Sequence, residues 1–61
     1  MKIKVILADD EELFRVGMSH ILARDEEIEI VHQASNGKEL IDYLASAETL
    51  PDIIIMDIKM P

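Results

Sequence analysis

The chain has 61 residues, 49% of them hydrophobic and 31% charged, with a formal charge of −7. That length holds one small domain, and so short a chain buries only about 60% of the surface its unfolded form exposes. Its composition excludes several classes at once. There is no cysteine, so disulfides and thiolate zinc sites are ruled out. No apolar run approaches the roughly 18 residues of a membrane span. Thirteen acidic side chains against six basic ones repel nucleic acid and anionic membranes. Only two prolines and two glycines argue against disorder. Met1-Lys2-Ile3-Lys4 leads straight into apolar residues without a signal-peptide pattern, so the expected location is cytoplasmic.

Lys2 to Ala8 reads as a strand. Val5, Ile6 and Leu7 are consecutive and large, as in a strand buried on both faces. Glu11 to Arg24 reads as a helix whose core-facing stripe is Leu13, Phe14, Gly17, Met18, Ile21 and Leu22. Asp25-Glu26-Glu27 is a solvated break. In the second strand, Ile28 to Ala34, polar Glu29, His32 and Gln33 interleave with Ile28, Ile30 and Val31, which suits an edge. Asn36 opens the second helix as its N-cap, and Glu39 three residues on fits a reciprocal capping arrangement. Leu40, Ile41, Leu44 and Ala45 form the buried stripe, and Pro51 bars further helix. The third strand, Asp52 to Met56, carries Ile53-Ile54-Ile55-Met56 without interruption and is expected to be central, covered on both faces.

Strand, helix, strand, helix, strand at these lengths predicts an α/β unit with a parallel sheet. The two fully apolar strands are expected side by side with the mixed strand outside, giving order 2-1-3. Right-handed crossovers then put the helices on opposite faces. The carboxyl ends of strands 1 and 3 flank a topological switch point, where such sheets bind ligands.

Strand 1 ends at Asp9-Asp10 and strand 3 at Asp57. Two carboxylates about 4 Å apart repel by roughly 4 kcal/mol at an effective dielectric of 20. A hard divalent cation is the natural occupant of such a cluster; Mg²⁺ takes one or two carboxylates and keeps several waters. Taken singly, Asp10 could simply cap the first helix and Asp57 open a turn. The turn after strand 1 has no glycine and four acids, so a P-loop or dinucleotide site is excluded. Gly17 reads as buried in the first helix and Gly37 as part of a turn. His20 and His32 read as surface or partly exposed, and the four methionines as core filler.

The acidic pair Asp9-Asp10 after an apolar strand, together with Ile53-Ile54-Ile55-Met56-Asp57-Ile58-Lys59-Met60-Pro61, resembles the N-terminal half of a response-regulator receiver domain. Leu13-Phe14-Arg15-Val16-Gly17-Met18 and Ala34-Ser35-Asn36-Gly37 are similar to the LuxR/NarL-type subfamily, whose output domain binds DNA. The resemblance implies a flavodoxin-like half, βαβαβ over residues 1–61, and the order 2-1-3 follows from it as much as from the residue pattern. It implies that Asp57 is the phospho-acceptor, taking its phosphoryl group from a sensor histidine kinase. Asp10 would be the direct Mg²⁺ ligand, Asp9 a partner acting largely through water, and the backbone carbonyl of Lys59 a further ligand, with Asp57 itself in the metal shell. The parent would regulate transcription, and this chain would be a phospho-accepting module rather than an enzyme.

The family's fourth and fifth strands, with their Ser/Thr and Lys, have no counterpart in these residues. The expectation is therefore a truncated receiver without an output domain or direct nucleic acid binding, with weak or absent Mg²⁺ binding. Self-association through strand 3 or adjacent apolar surface is expected too. An alternative is an inactive, self-associating folding fragment. An aspartyl-phosphate phosphohydrolase is disfavoured, because Asp57-Ile58-Lys59 lacks the second Asp of its Asp-x-Asp motif.

Overall fold

The structure is a computed structural model and describes residues 2–57. Its elements are β1 (Ile3–Asp9), α1 (Glu12–Leu22), β2 (Ile28–Ala34), α2 (Gly37–Ser46) and β3 (Ile53–Asp57). All strands pair in parallel, in the order β2-β1-β3. The expected architecture is therefore present. Ile58 to Pro61, and with them Lys59, lie outside the described residues.

β1 is the sheet's centre, and Val5 to Asp9 is a continuous buried run. Its side chains alternate between the two faces. Ile6 and Ala8 face α2 and form a cluster with Ala34 and Leu40, flanked by Val31, Tyr43 and Leu44. Leu7 and Asp9 face α1 with Ile55 and Asp57, across a small cavity lined also by Phe14 and Met18.

β2 enters this arrangement through an irregularity that the residue pattern does not announce. Ile3, Lys4 and Val5 pair with Ile28, Glu29 and Ile30, but Ile6 pairs with His32, so Val31 is an extra residue. A bulge shifts the phase of the alternation. Here it puts His32 and Ala34 on the α2 face. His32 stacks on Tyr43 with ring centroids 4.1 Å apart and planes at 11°.

Three expectations about burial require correction. β3 is not covered on both faces: it is the outer strand, and Ile53, Ile54 and Met56 are exposed, Met56 at 57%. No residue of α1 is buried; Leu13 is 90% exposed, Phe14 and Ile21 are exposed, and only Met18 and Leu22 of the stripe are half-buried. Gly17 is exposed, and a Cβ there would meet nothing within 4 Å, so close packing is not its reason. On α2 the sheet-facing positions are Leu40, Tyr43 and Leu44, while Ile41 and Ala45 point out.

The helix ends follow local chemistry. α1 stops at Leu22, two residues before the expected end at Arg24. There the backbone tightens into i→i−3 bonds, from Arg24 N to Ile21 O (3.3 Å) and from Asp25 N to Leu22 O (3.1 Å). Asp25 Oδ1 then accepts the Glu27 N–H at 2.9 Å, turning the chain toward β2. At α2 the expected cap is present, since Asn36 Oδ1 accepts the Glu39 N–H at 2.8 Å. The return bond goes one residue further back. Glu39 Oε1 accepts from the Ser35 N–H at 2.9 Å and from the Ser35 hydroxyl.

These bonds, the Ser35 hydroxyl first and its N–H second, hold the Glu39 carboxyl below its ordinary pKa; desolvation opposes them, and the charges of Arg15 and His32 add weaker lowering effects. A pKa lowered in the folded state means stability that is present above the unfolded pKa and lost as pH falls through the folded one. Thermal melts taken downward from neutral pH are expected to show this acid loss, with Glu39→Gln removing part of the slope. An unchanged slope in that variant would mean the Ser35 bonds do not persist in solution.

β3 is tied in at its start by a two-sided clamp. The Asp52 N–H donates to Lys4 O at 2.8 Å, and Asp52 Oδ2 accepts the Lys4 N–H at 2.8 Å. The clamp sets the register in which Val5 pairs with Ile53 and, four residues on, Asp9 with Asp57. Among the described residues no helix is long and apolar enough to cross a membrane.

Candidate functional site: a carboxylate crevice at the ends of β1 and β3

The crevice is assembled by register. Asp9 and Asp57 are the last residues of their strands and are direct pairing partners, on backbones about 4.8 Å apart. Asp9 is only 6% exposed, whereas Asp57 and Asp10 are open to solvent. A buried carboxylate needs hydrogen bonds. Asp9 Oδ1 accepts the Glu11 N–H at 2.8 Å, forming a tight turn just before α1. The helix-entry bond, weighed above as the alternative role for Asp10, is made by Asp9. The N-cap residue of α1 is Glu11, and its own side chain makes no capping bond.

A second tie comes from the helix. Arg15 Nη1 donates to the backbone carbonyl of Asp9 at 2.9 Å, and Arg15 Nε is buried with no hydrogen-bond partner among the described residues. Arg15, Asp9 and Asp57 all line the cavity beneath α1, about 20 Å³ in volume and otherwise apolar. Arg15 lies in the Leu13–Met18 stretch that carries the family resemblance, but the residue pattern gives it no role in the crevice. Its role rests on a contact with another element.

The structure thus brings Asp9 and Asp57 together and leaves Asp10 beside them on the exposed turn. Among the described residues no group of three His, Cys, Asp or Glu side chains is arranged to hold a metal ion. The donor chemistry nonetheless suits Mg²⁺. The metal-binding groups there are carboxylates, with the Arg15 guanidinium beside them, and that ion asks for one or two carboxylates and retains its waters. His20 is exposed, and the half-buried His32 stacks on Tyr43.

The sequence profile of the response regulator receiver domain matches residues 5–61, and the chain belongs to that family. It is 44% identical over all of its 61 residues to protein-glutamate methylesterase/protein-glutamine glutaminase 2 of Pseudomonas fluorescens, covering 16% of that protein. It is 39% identical over 59 residues, 97% of its length, to the transcriptional regulatory protein LnrK of Bacillus subtilis, covering 26% of it. To the transcriptional regulatory protein DegU of Brevibacillus brevis it is 38% identical over 60 residues, 98% of its length, covering 25% of it. The chain therefore spans between 16% and 26% of the length of these relatives. No solved structure gives a significant match.

Proposed function

We propose that this chain is the phospho-accepting part of a two-component response regulator, in which Asp57 takes a phosphoryl group from the phosphohistidine of a sensor histidine kinase. The observation that carries this reading is the pairing of Asp9 with Asp57 at the carboxyl ends of adjacent parallel strands, beside a switch point. A carboxylate oxygen of Asp57 attacks phosphorus, the P–N bond to the donor imidazole breaks, and an acyl phosphate forms. Exposure of Asp57 suits a nucleophile that must meet a protein donor.

In this reading Asp10 would hold Mg²⁺ directly, Asp9 would act through water, and Asp57 and the Lys59 carbonyl would be further ligands; bound there, Mg²⁺ would supply positive charge against the carboxylates and the incoming phosphoryl oxygens. Relatives named for methylesterase activity and for transcriptional regulation match over the same stretch, which fits an input role shared by different outputs. The resemblance of the Leu13–Met18 and Ala34–Gly37 stretches to the LuxR/NarL type favours a parent that regulates transcription.

The test is intact mass after incubation with a small phosphodonor. A single phosphoryl adduct that requires Mg²⁺ supports the reading, and no adduct under any metal condition overturns it.

The exposed outer strand supports a second property. Ile53, Ile54 and Met56 are exposed on β3, whose outer edge has no strand beside it among the described residues, and such edges associate. The chain is therefore expected to sediment as a dimer or larger assembly at micromolar concentration, with Met56→Lys shifting it toward monomer. A stably folded wild-type monomer under those conditions refutes self-association.

A further inference from the structure

We infer that Arg15 is a positioning residue of the phospho-acceptor crevice, holding the Asp9–Asp10 peptide from α1 so that the turn carrying Asp10 keeps a fixed place relative to Asp57. This inference rests on the function proposed above and adds a residue to it.

Three observations converge. First, the carbonyl bonded by Arg15 Nη1 at 2.9 Å belongs to the peptide that leads from Asp9 into Asp10. The bond crosses from the helix to the strand end, so it fixes that peptide against α1. Second, the entry to α1 is weakly held by its own residues. Glu11 supplies no side-chain cap, and the turn relies on the Asp9 Oδ1 bond to the Glu11 N–H. Third, Arg15 is drawn inward when it need not be. A long basic side chain normally runs along apolar surface and keeps its head in water. Here Nε is buried without a partner among the described residues, an unfavourable state that calls for an explanation. The bond from Nη1 supplies it: the guanidinium plane is rigid, so placing Nη1 on the Asp9 carbonyl carries Nε under cover.

Arginine also brings a fixed positive charge to a crevice lined by Asp9 and Asp57. Charge and hold predict opposite effects on a cation. Removing the charge alone would favour Mg²⁺ beside the carboxylates. Losing the hold would disfavour it, because the turn bearing Asp10 would no longer be placed in advance.

Arg15→Met keeps an unbranched apolar stem and removes both charge and donors. In the metal-free protein, hydrogen exchange of the Glu11 amide is expected to accelerate about tenfold, the order of one lost hydrogen bond, with the Val5, Ile6 and Leu7 amides unchanged. In a Mg²⁺ titration followed by the Asp10 and Glu11 amide shifts, half-saturation is expected to need several-fold more metal. Arg15→Lys, which keeps the charge and loses the fork, should shift both readouts the same way by less.

An unchanged Glu11 amide in Arg15→Met overturns the inference. So does uniform acceleration across β1, which would make Arg15 a residue of general stability. Tighter Mg²⁺ binding overturns it as well, leaving only a competing charge. If the wild-type amides ignore Mg²⁺, the metal part of the proposed function fails, and the Glu11 exchange rate alone decides for or against Arg15.

Discussion

Replacing Ile6 with alanine is expected to leave the chain largely unfolded. Ile6 is 0% exposed and is the largest fully buried side chain. It sits in the cluster that joins β1 to β2 and α2 through Ala8, Ala34 and Leu40. Such a truncation removes about 2–5 kcal/mol. At roughly 0.05–0.15 kcal/mol per residue, a chain of this size has about 3–9 kcal/mol in total, and a core this small rarely supplies more than about 3–5 kcal/mol. The loss is thus comparable to the whole. Ile6→Val should lose only about 0.5–1.5 kcal/mol and stay folded. Denaturant melts followed by circular dichroism give the comparison. Equal midpoints for wild type and Ile6→Ala would mean that the cohesion of the fold lies elsewhere.

Asp57→Asn is expected to abolish the phosphoryl adduct altogether while folding at least as stably as wild type. The amide has nearly the same shape but no carboxylate nucleophile. It also removes one charge from the pair facing Asp9, which relieves repulsion. Asp9→Asn separates the two jobs of that residue. Its amide oxygen can still accept the Glu11 N–H, so the turn and the start of α1 should persist, whereas the charge beside Asp57 is lost. Asp9→Ala loses both and should destabilise the helix entry as well. An adduct of undiminished yield in Asp57→Asn would place the acceptor at another residue and break the correspondence between strand register and chemistry.

The element order and the cap on α2 are legible in the residues, for reasons that act locally, whereas the sheet order follows as much from the family resemblance. Period-two and helical spacing of apolar residues extend over one element at a time. Asn36 and Glu39 meet within a single turn. Pattern and structure part where an apolar residue reads as a buried one. Ile53-Ile54-Ile55-Met56 reads as an interior strand, yet β3 is the outer strand. The α1 stripe reads as core-facing, yet Leu13 lies in solvent. Hydrophobicity states what a residue would gain from cover, while cover requires another element in the right place. The bulge at Val31 is the same lesson at smaller scale. It decides that His32 meets Tyr43, and no residue type in β2 announces it.

For the candidate site the division is equally physical. The sequence by itself determined that carboxylates end two apolar strands, because strand length and the position of Asp9, Asp10 and Asp57 are local properties. Only the tertiary structure decided that Asp9 rather than Asp10 turns inward to hold the helix entry, that Asp57 is the residue directly paired with it, and that Arg15 reaches back to the same peptide. Those facts depend on the register between strands separated by both helices, and on the seat of α1 over the sheet. Register is set by the summed pairing and packing of whole elements, such as the Asp52–Lys4 clamp at the far end of β3, and so it becomes visible only when those elements are placed together.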